Sequence, residues 1–279
     1  MIQREHKDRL FSSIFGREEH KEWSLSLYNA LNHSHYTNKD DIEINTIEDV
    51  LYLGMKNDVS FILMDELNLY AHQSTYNPNM PVRELVYAGM LYSKYIEQRD
   101  LNIYSRKIIR IPVPRIVVFF NGTDDTEDEV ILELKDAFPE GADASKADIS
   151  VRARMLNINY GKNAELLDAC RPLWEYSKLN ADIRSNMKTM EKEAAVGKAI
   201  DDMAPDSVIK SYIIGNKAEV TRMFLTDYNE EETMRRFKEE YLEEGRQAGQ
   251  QFIIDQLVAD GKLTPAEAEQ YKAATPAAN

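Results

Sequence analysis

The stretch LNLYAHQSTYNP, Leu67 to Pro78, reads as a strand that turns at Asn77-Pro78. Successive strand side chains point to opposite faces. Leu67, Leu69, Ala71 and Gln73 therefore share one side, and Asn68, Tyr70, His72 and Ser74 share the other. Two leucines and an alanine followed by a glutamine form a row that begins as core and ends polar. Such a row marks a place where a core face opens toward a site.

The neighbouring segments complete a sheet. VLYLGM (Val50 to Met55) and DVSFILM (Asp58 to Met64) are short apolar runs, separated from each other and from LNLYAHQS by Lys56-Asn57 and Asp65-Glu66. Links this short favour an antiparallel meander, since parallel strands need a long crossover. Pro81 opens a helix in which Val82, Leu85, Val86, Gly89, Met90, Tyr92 and Ile96 recur at helical spacing. RIVVFFNG (Arg115 to Gly122) is a strand apolar on both faces, bounded by Pro114 and Asn121-Gly122. Residues 3–32 read as two helical pieces broken at Gly16, and residues 33–46 as a loop. EVILELKDAF supplies a strand or short helix, and VRARMLNINY (Val151 to Tyr160) a late edge strand. From Asn163 onward the pattern is helical. The order helix, meander, helix, buried strand predicts an α/β core with a mixed sheet flanked by helices over residues 1–160, and a helical extension with a charged tail over 161–279.

Composition sets the outer limits. A net charge of -14 weighs against a protein that coats nucleic acid through a broad basic stripe. It leaves room for an enzyme that grips DNA through a few local cations. Cys170 is the single cysteine, which excludes an internal disulfide framework and suits a reducing cytoplasm. No apolar run reaches bilayer-spanning length, so no membrane partner is expected.

Residues 6–122 resemble the PD-(D/E)XK nuclease family of transposases, which includes the recombination-promoting nucleases. HKDRLFSSIFG, YLGMKNDVSFIL, LNLYAHQSTYNPNMPVRELVYAGMLYSKYI and PRIVVFFNG carry the resemblance. It implies a restriction-endonuclease-like core that cuts DNA with Mg2+, or with Mn2+ in its place. Carried over position by position, the metal-binding aspartate falls on Asp58, and the Glu-x-Gln pair falls on Ala71-His72-Gln73. An acidic residue on the first helix falls on Asp8. Relatives read EHQST where this chain reads AHQST, so Ala71 stands where a metal-holding carboxylate belongs. The resemblance then implies that the ion is weakly held or absent and that the chain is feeble or dead as a nuclease. The intact surroundings favour a deliberate glutamate-to-alanine change over natural decay.

Each of these residues has a plainer reading. Asp58 reads equally as a strand-start residue, Asp8 as part of a solvated helix face, and His72 and Gln73 as surface polarity. Glu66 lies in the turn on the wrong row to replace the missing ligand. Lys94, Arg106, Lys107, Arg110 and Arg115 are the core's main cationic concentration, either for phosphates or to balance the acidic loop at 123–129. Tyr76 and Tyr92 either stack on bases or pack with an exposed hydroxyl. In the tail, Glu231–Arg235 and Glu232–Arg236 are favourable i,i+4 pairs. A homo-oligomer is compatible with all of this, and RNA remains open as a substrate beside DNA. The runner-up is an inert DNA- or protein-binding module of the same fold.

Overall fold

Two leucines and a run of apolar partners place the Leu67 strand in the middle of a sheet. The computed structural model describes residues 10–47, 59–225, 246, 249, 252–260, 262–264 and 267–268. In it β1 (Ile42–Ile44) pairs antiparallel with β2 (Val59–Leu63), and β2 pairs antiparallel with β3 (Glu66–Gln73). Met64 and Asp65 turn the β2–β3 hairpin, with Met64 at φ 55°, as two-residue hairpin loops demand. Glu66, expected in that turn, is instead the first residue of β3.

The chain then forms α3 (Met80–Gln98) and β4 (Val113–Phe120), which runs parallel to β3. β5 (Glu129–Glu133) and β6 (Arg152–Asn157) follow. β6 lies parallel to β4 and antiparallel to β5, giving the order β1-β2-β3-β4-β6-β5. The predicted mixed sheet flanked by helices is present, with two corrections. The VRARMLNINY strand is interior rather than an edge, because β6 pairs with β4 on one side and with β5 on the other; β5 takes the edge. A three-residue strand, β1, lies inside the segment expected to be a loop, held by its pairing with β2. The expected strand at Val50 to Met55 lies outside the described residues.

Helices cover both faces. On one side α1 (Leu10–Phe15), α2 (Lys21–Asn32) and α5 (Arg171–Asn186) bury Phe11, Phe15, Phe61, Tyr70, Phe119 and Tyr176 in one cluster. α4 (Ala164–Ala169), α6 (Lys192–Asp201) and α7 (Lys210–Gly215) extend that same cluster through Leu167, Ile200 and Ile213. The helices beyond residue 160 thus share a core with the sheet, and the chain divides into units Met1–Tyr228 and Asn229–Asn279. In the second unit, residues 252–259 are helical. Among the described residues no helix is long and apolar enough to cross a membrane.

On the other face lies α3, with Met80, Glu84, Tyr87, Ala88 and Leu91 buried. The predicted helix is present, and two of its hydrophobes face outward, Val82 at 39% and Val86 at 45% exposure. The inward stripe carries a glutamate and an alanine.

One buried carboxylate has a structural task. Glu175 on α5 accepts from Ser207 Oγ (2.8 Å) and from the backbone N–H groups of Val208 (3.0 Å) and Ile209 (3.1 Å) just before α7. Arg171 Nε donates to it at 3.0 Å. Glu175→Ala strands these donors and is expected to cost about 2–3 kcal/mol, read as a lowered urea midpoint with unchanged slope.

Candidate functional site

The row Leu67, Leu69, Ala71, Gln73 faces α3. Leu67 and Leu69 pack with Ile62, Tyr87 and Leu91. One step further along, Ala71 is fully buried among Met80, Val118, Phe120, Leu132 and Met155. Gln73 ends the strand half-buried, and its carbonyl accepts from Asn121 N–H at 2.9 Å. The row therefore runs from core to a half-exposed amide, as its residue types predict. Asp58 and Asp8, the two carboxylates assigned to the metal, lie outside the described residues.

A carboxylate that the sequence reading missed stands on the covering helix. Glu84 is fully buried on α3, four residues after Met80, which covers Ala71, and three before Tyr87, which covers Leu69. Side chains at these spacings line one helix face. A charged residue in the stripe of spacing 80, 84, 87, 88, 91 was the available signal.

His72 takes the opposite face, as the alternation requires. Its ring stacks on Phe11 with centroids 5.1 Å apart, and its Nε2 lies 2.9 Å from Tyr176 Oη. It is a buried core histidine facing away from Gln73.

The ends of the parallel strands are tied together beside Gln73. Arg184 of α5 donates to Asn159 Oδ1 at 2.9 Å and to the Asn121 carbonyl at 2.5 Å. Asn159 Nδ2 donates to the Gly122 carbonyl at 3.0 Å and to Asn157 Oδ1 at 2.9 Å. Asn121 and Asn157 are buried, so their amides fix the strand ends. Gly122 permits this closeness: a Cβ there would fall 2.0 Å from the Ser74 carbonyl and 2.7 Å from the Phe120 ring. The Asn-Gly of RIVVFFNG was visible as a strand boundary, and the asparagines of VRARMLNINY were a further signal that pattern alone did not join to it.

The cations expected near this site are elsewhere. Register pairs Glu66 with Val113 and Gln73 with Phe120, so seven residues of parallel strand, about 23 Å, separate the start of β4 from Gln73. Arg106, Lys107 and Arg110 are exposed in the loop entering β4. Arg115 stands beside Asn68, with its Nε 3.7 Å from Glu66. Lys94 donates to the carbonyls of Asn45 and Thr46. Glu66 accepts from Tyr28 Oη at 2.9 Å, on the α2 face; burial and this carboxylate push the Tyr28 phenol far above its usual range. Tyr92 donates its hydroxyl to the Pro112 carbonyl at 2.8 Å, and burial raises its phenol, so it is a packing residue. Tyr76 is 39% exposed, and its backbone N–H donates to Asp124.

Magnesium takes hard oxygen ligands. Position 71 presents a methyl group, so the row as it stands does not fit the ion. Among the described residues no group of three or more His, Cys, Asp or Glu is placed to hold a metal. No family model matches the chain, and no match is found among curated proteins or solved structures.

Proposed function

We propose that the chain is a metal-dependent DNA endonuclease scaffold with a restriction-endonuclease-like core, silent as it stands because residue 71 is alanine. The observation that carries the reading is the Leu67–Gln73 row, buried to Ala71 and ending on a half-exposed amide under α3. Glu84 adds a buried carboxylate on the helix that covers it. With a glutamate at 71, that residue and Asp58 would hold the ion, which would supply an activated water, and Gln73 would orient the water or a phosphate oxygen. The Gln73 amide cannot serve as a general base, because it is far too weakly basic to take up a proton near neutral pH.

The test compares the chain with its Ala71→Glu variant on supercoiled plasmid and on linear DNA, with Mg2+ or Mn2+. Cleavage is expected only from Ala71→Glu. It should vanish with EDTA, and again when Asp58→Ala is added. A folded Ala71→Glu that cuts no nucleic acid with either metal sinks the proposal.

One observation favours the second reading, an inert binding module. Ala71 fills an apolar niche between Met80, Val118 and Phe120 with no exposed surface, which suits a chain adapted to a methyl there. Specific binding of DNA or a partner protein without cleavage by Ala71→Glu supports that module.

A further inference from the structure

On the α2 face, the starts of β4 and β6 are left open by the helices. A cleft of about 400 Å³ lies there, lined by Asn68, Tyr70, Arg115, Val117, Arg152 and Arg154 among others. That volume lies within the range of small-molecule sites. Val117 on β4 pairs with Arg154 on β6. Two residues back along the same two strands stand Arg115 and Arg152, so two guanidinium groups flank one groove.

These arginines are differently committed. Arg154 is held by Glu129 through two hydrogen bonds, at 2.9 and 3.1 Å. Arg115 and Arg152 approach Glu66 and Glu133 no nearer than 3.7 Å, beyond hydrogen-bond reach. Two planar forks of N–H donors on adjacent strands suit a bidentate oxyanion.

Asn68 supplies the independent sign of a ligand. It is 1% exposed, and its Nδ2 has no hydrogen-bond partner. Its Oδ1 accepts from Tyr70 Oη at 3.4 Å. A buried amide N–H left unmade costs about 1–3 kcal/mol. This one stands beside the cleft that Arg115 borders, where an acceptor on a bound molecule satisfies it.

We infer that this cleft binds a small phosphate ester with a flat, partly apolar body, of the nucleoside monophosphate class. The phosphate sits between Arg115 and Arg152, the body lies over Val117 and Tyr70, and a ring or sugar acceptor meets Asn68 Nδ2. The site is separate from Ala71 and Gln73: it opens on the other face of the sheet, toward the opposite end of β3. It therefore stands or falls apart from the nuclease reading.

The full chain is titrated calorimetrically with AMP, GMP, CMP and UMP, and with adenosine and inorganic phosphate as controls, in EDTA. At least one monophosphate is expected to bind with a Kd below about 1 mM, and adenosine and phosphate about tenfold or more weaker. The double variant Arg115→Gln, Arg152→Gln replaces two partly exposed side chains and should keep its Tm while losing about tenfold or more in affinity. Asn68→Asp, which puts a carboxylate where the donor was, should weaken binding further. Absence of binding by all four monophosphates overturns the inference. So does binding that the double variant retains, or phosphate binding as tight as that of the nucleotide.

Discussion

Ala71→Glu is expected to lower stability in EDTA and to regain it when Mg2+ or Mn2+ is added. The methyl of Ala71 is enclosed by Met80, Val118, Phe120, Leu132 and Met155, so a carboxyl placed there is desolvated and held neutral well above its ordinary pKa. The sign follows from linkage. The unfolded chain ionises this group above about pH 4.3 while the folded chain does not, so the penalty is absent below that pH and grows as pH rises toward the folded pKa. At pH 7 it amounts to about 3 kcal/mol for a two-unit shift or slightly more. A divalent ion that binds only the folded, ionised form reverses it, by about 2.7 kcal/mol at a hundredfold excess over Kd. Thermal melts at pH 5, 7 and 8, with and without metal, read both effects. A penalty that metal does not relieve identifies position 71 as plain core.

Gly122→Ala should be the most damaging glycine-to-alanine change among the described residues. The new Cβ falls 2.0 Å from a backbone oxygen, that of Ser74, and 2.7 Å from two atoms of the Phe120 ring. Neither neighbour is the far end of a flexible side chain, so the segment after β3 must separate from the end of β4. That separation works against the bond from Asn121 N–H to the Gln73 carbonyl and the bond from Asn159 to Gly122. A loss of about 3 kcal/mol or more is expected, toward the upper end of overpacking costs. The urea midpoint measures it. Gly89→Ala, where a Cβ meets nothing within 4 Å, serves as the control and should stabilise α3 by about 0.5–1 kcal/mol.

Local pattern made much of this legible. The break at Gly16 separates α1 from α2, and the turn of chain there brings Gly16 N–H to the Ser12 carbonyl at 2.7 Å. Residues 116–120 have side chains that only a strand covered on both faces can bury, and β4 is that strand. Alternation placed Ala71 and His72 on opposite faces. Strand order was not readable, because alternation gives the faces of β6 but says nothing about whether β4 or solvent lies at its edge. The helix of α3 was readable but its inward side was not, because a carboxylate, Glu84, lies on that side and Val82 and Val86 face outward. The distance from Arg115 to Gln73 depends on parallel register, which is set by long-range pairing.

The reliance of the sheet on α5 has a consequence for the chain during its synthesis. Tyr176 covers His72 and Phe11, Ser177 donates to the Ile158 carbonyl at 2.7 Å, and Arg184 clamps the end of β4. All three lie more than fifty residues beyond Phe120. At the usual elongation rates of about 5–20 residues per second, β4 waits about 3–13 s for Arg184 to be made. Through that interval the cluster has α1 and α2 but not α5, so His72 and Phe11 lack the Tyr176 that packs on them, a surface that invites chaperones and collisions with neighbouring polysomes. A ribosome stalled at residue 160 should accordingly hold a protease-sensitive chain, and one stalled well past residue 215 a resistant one.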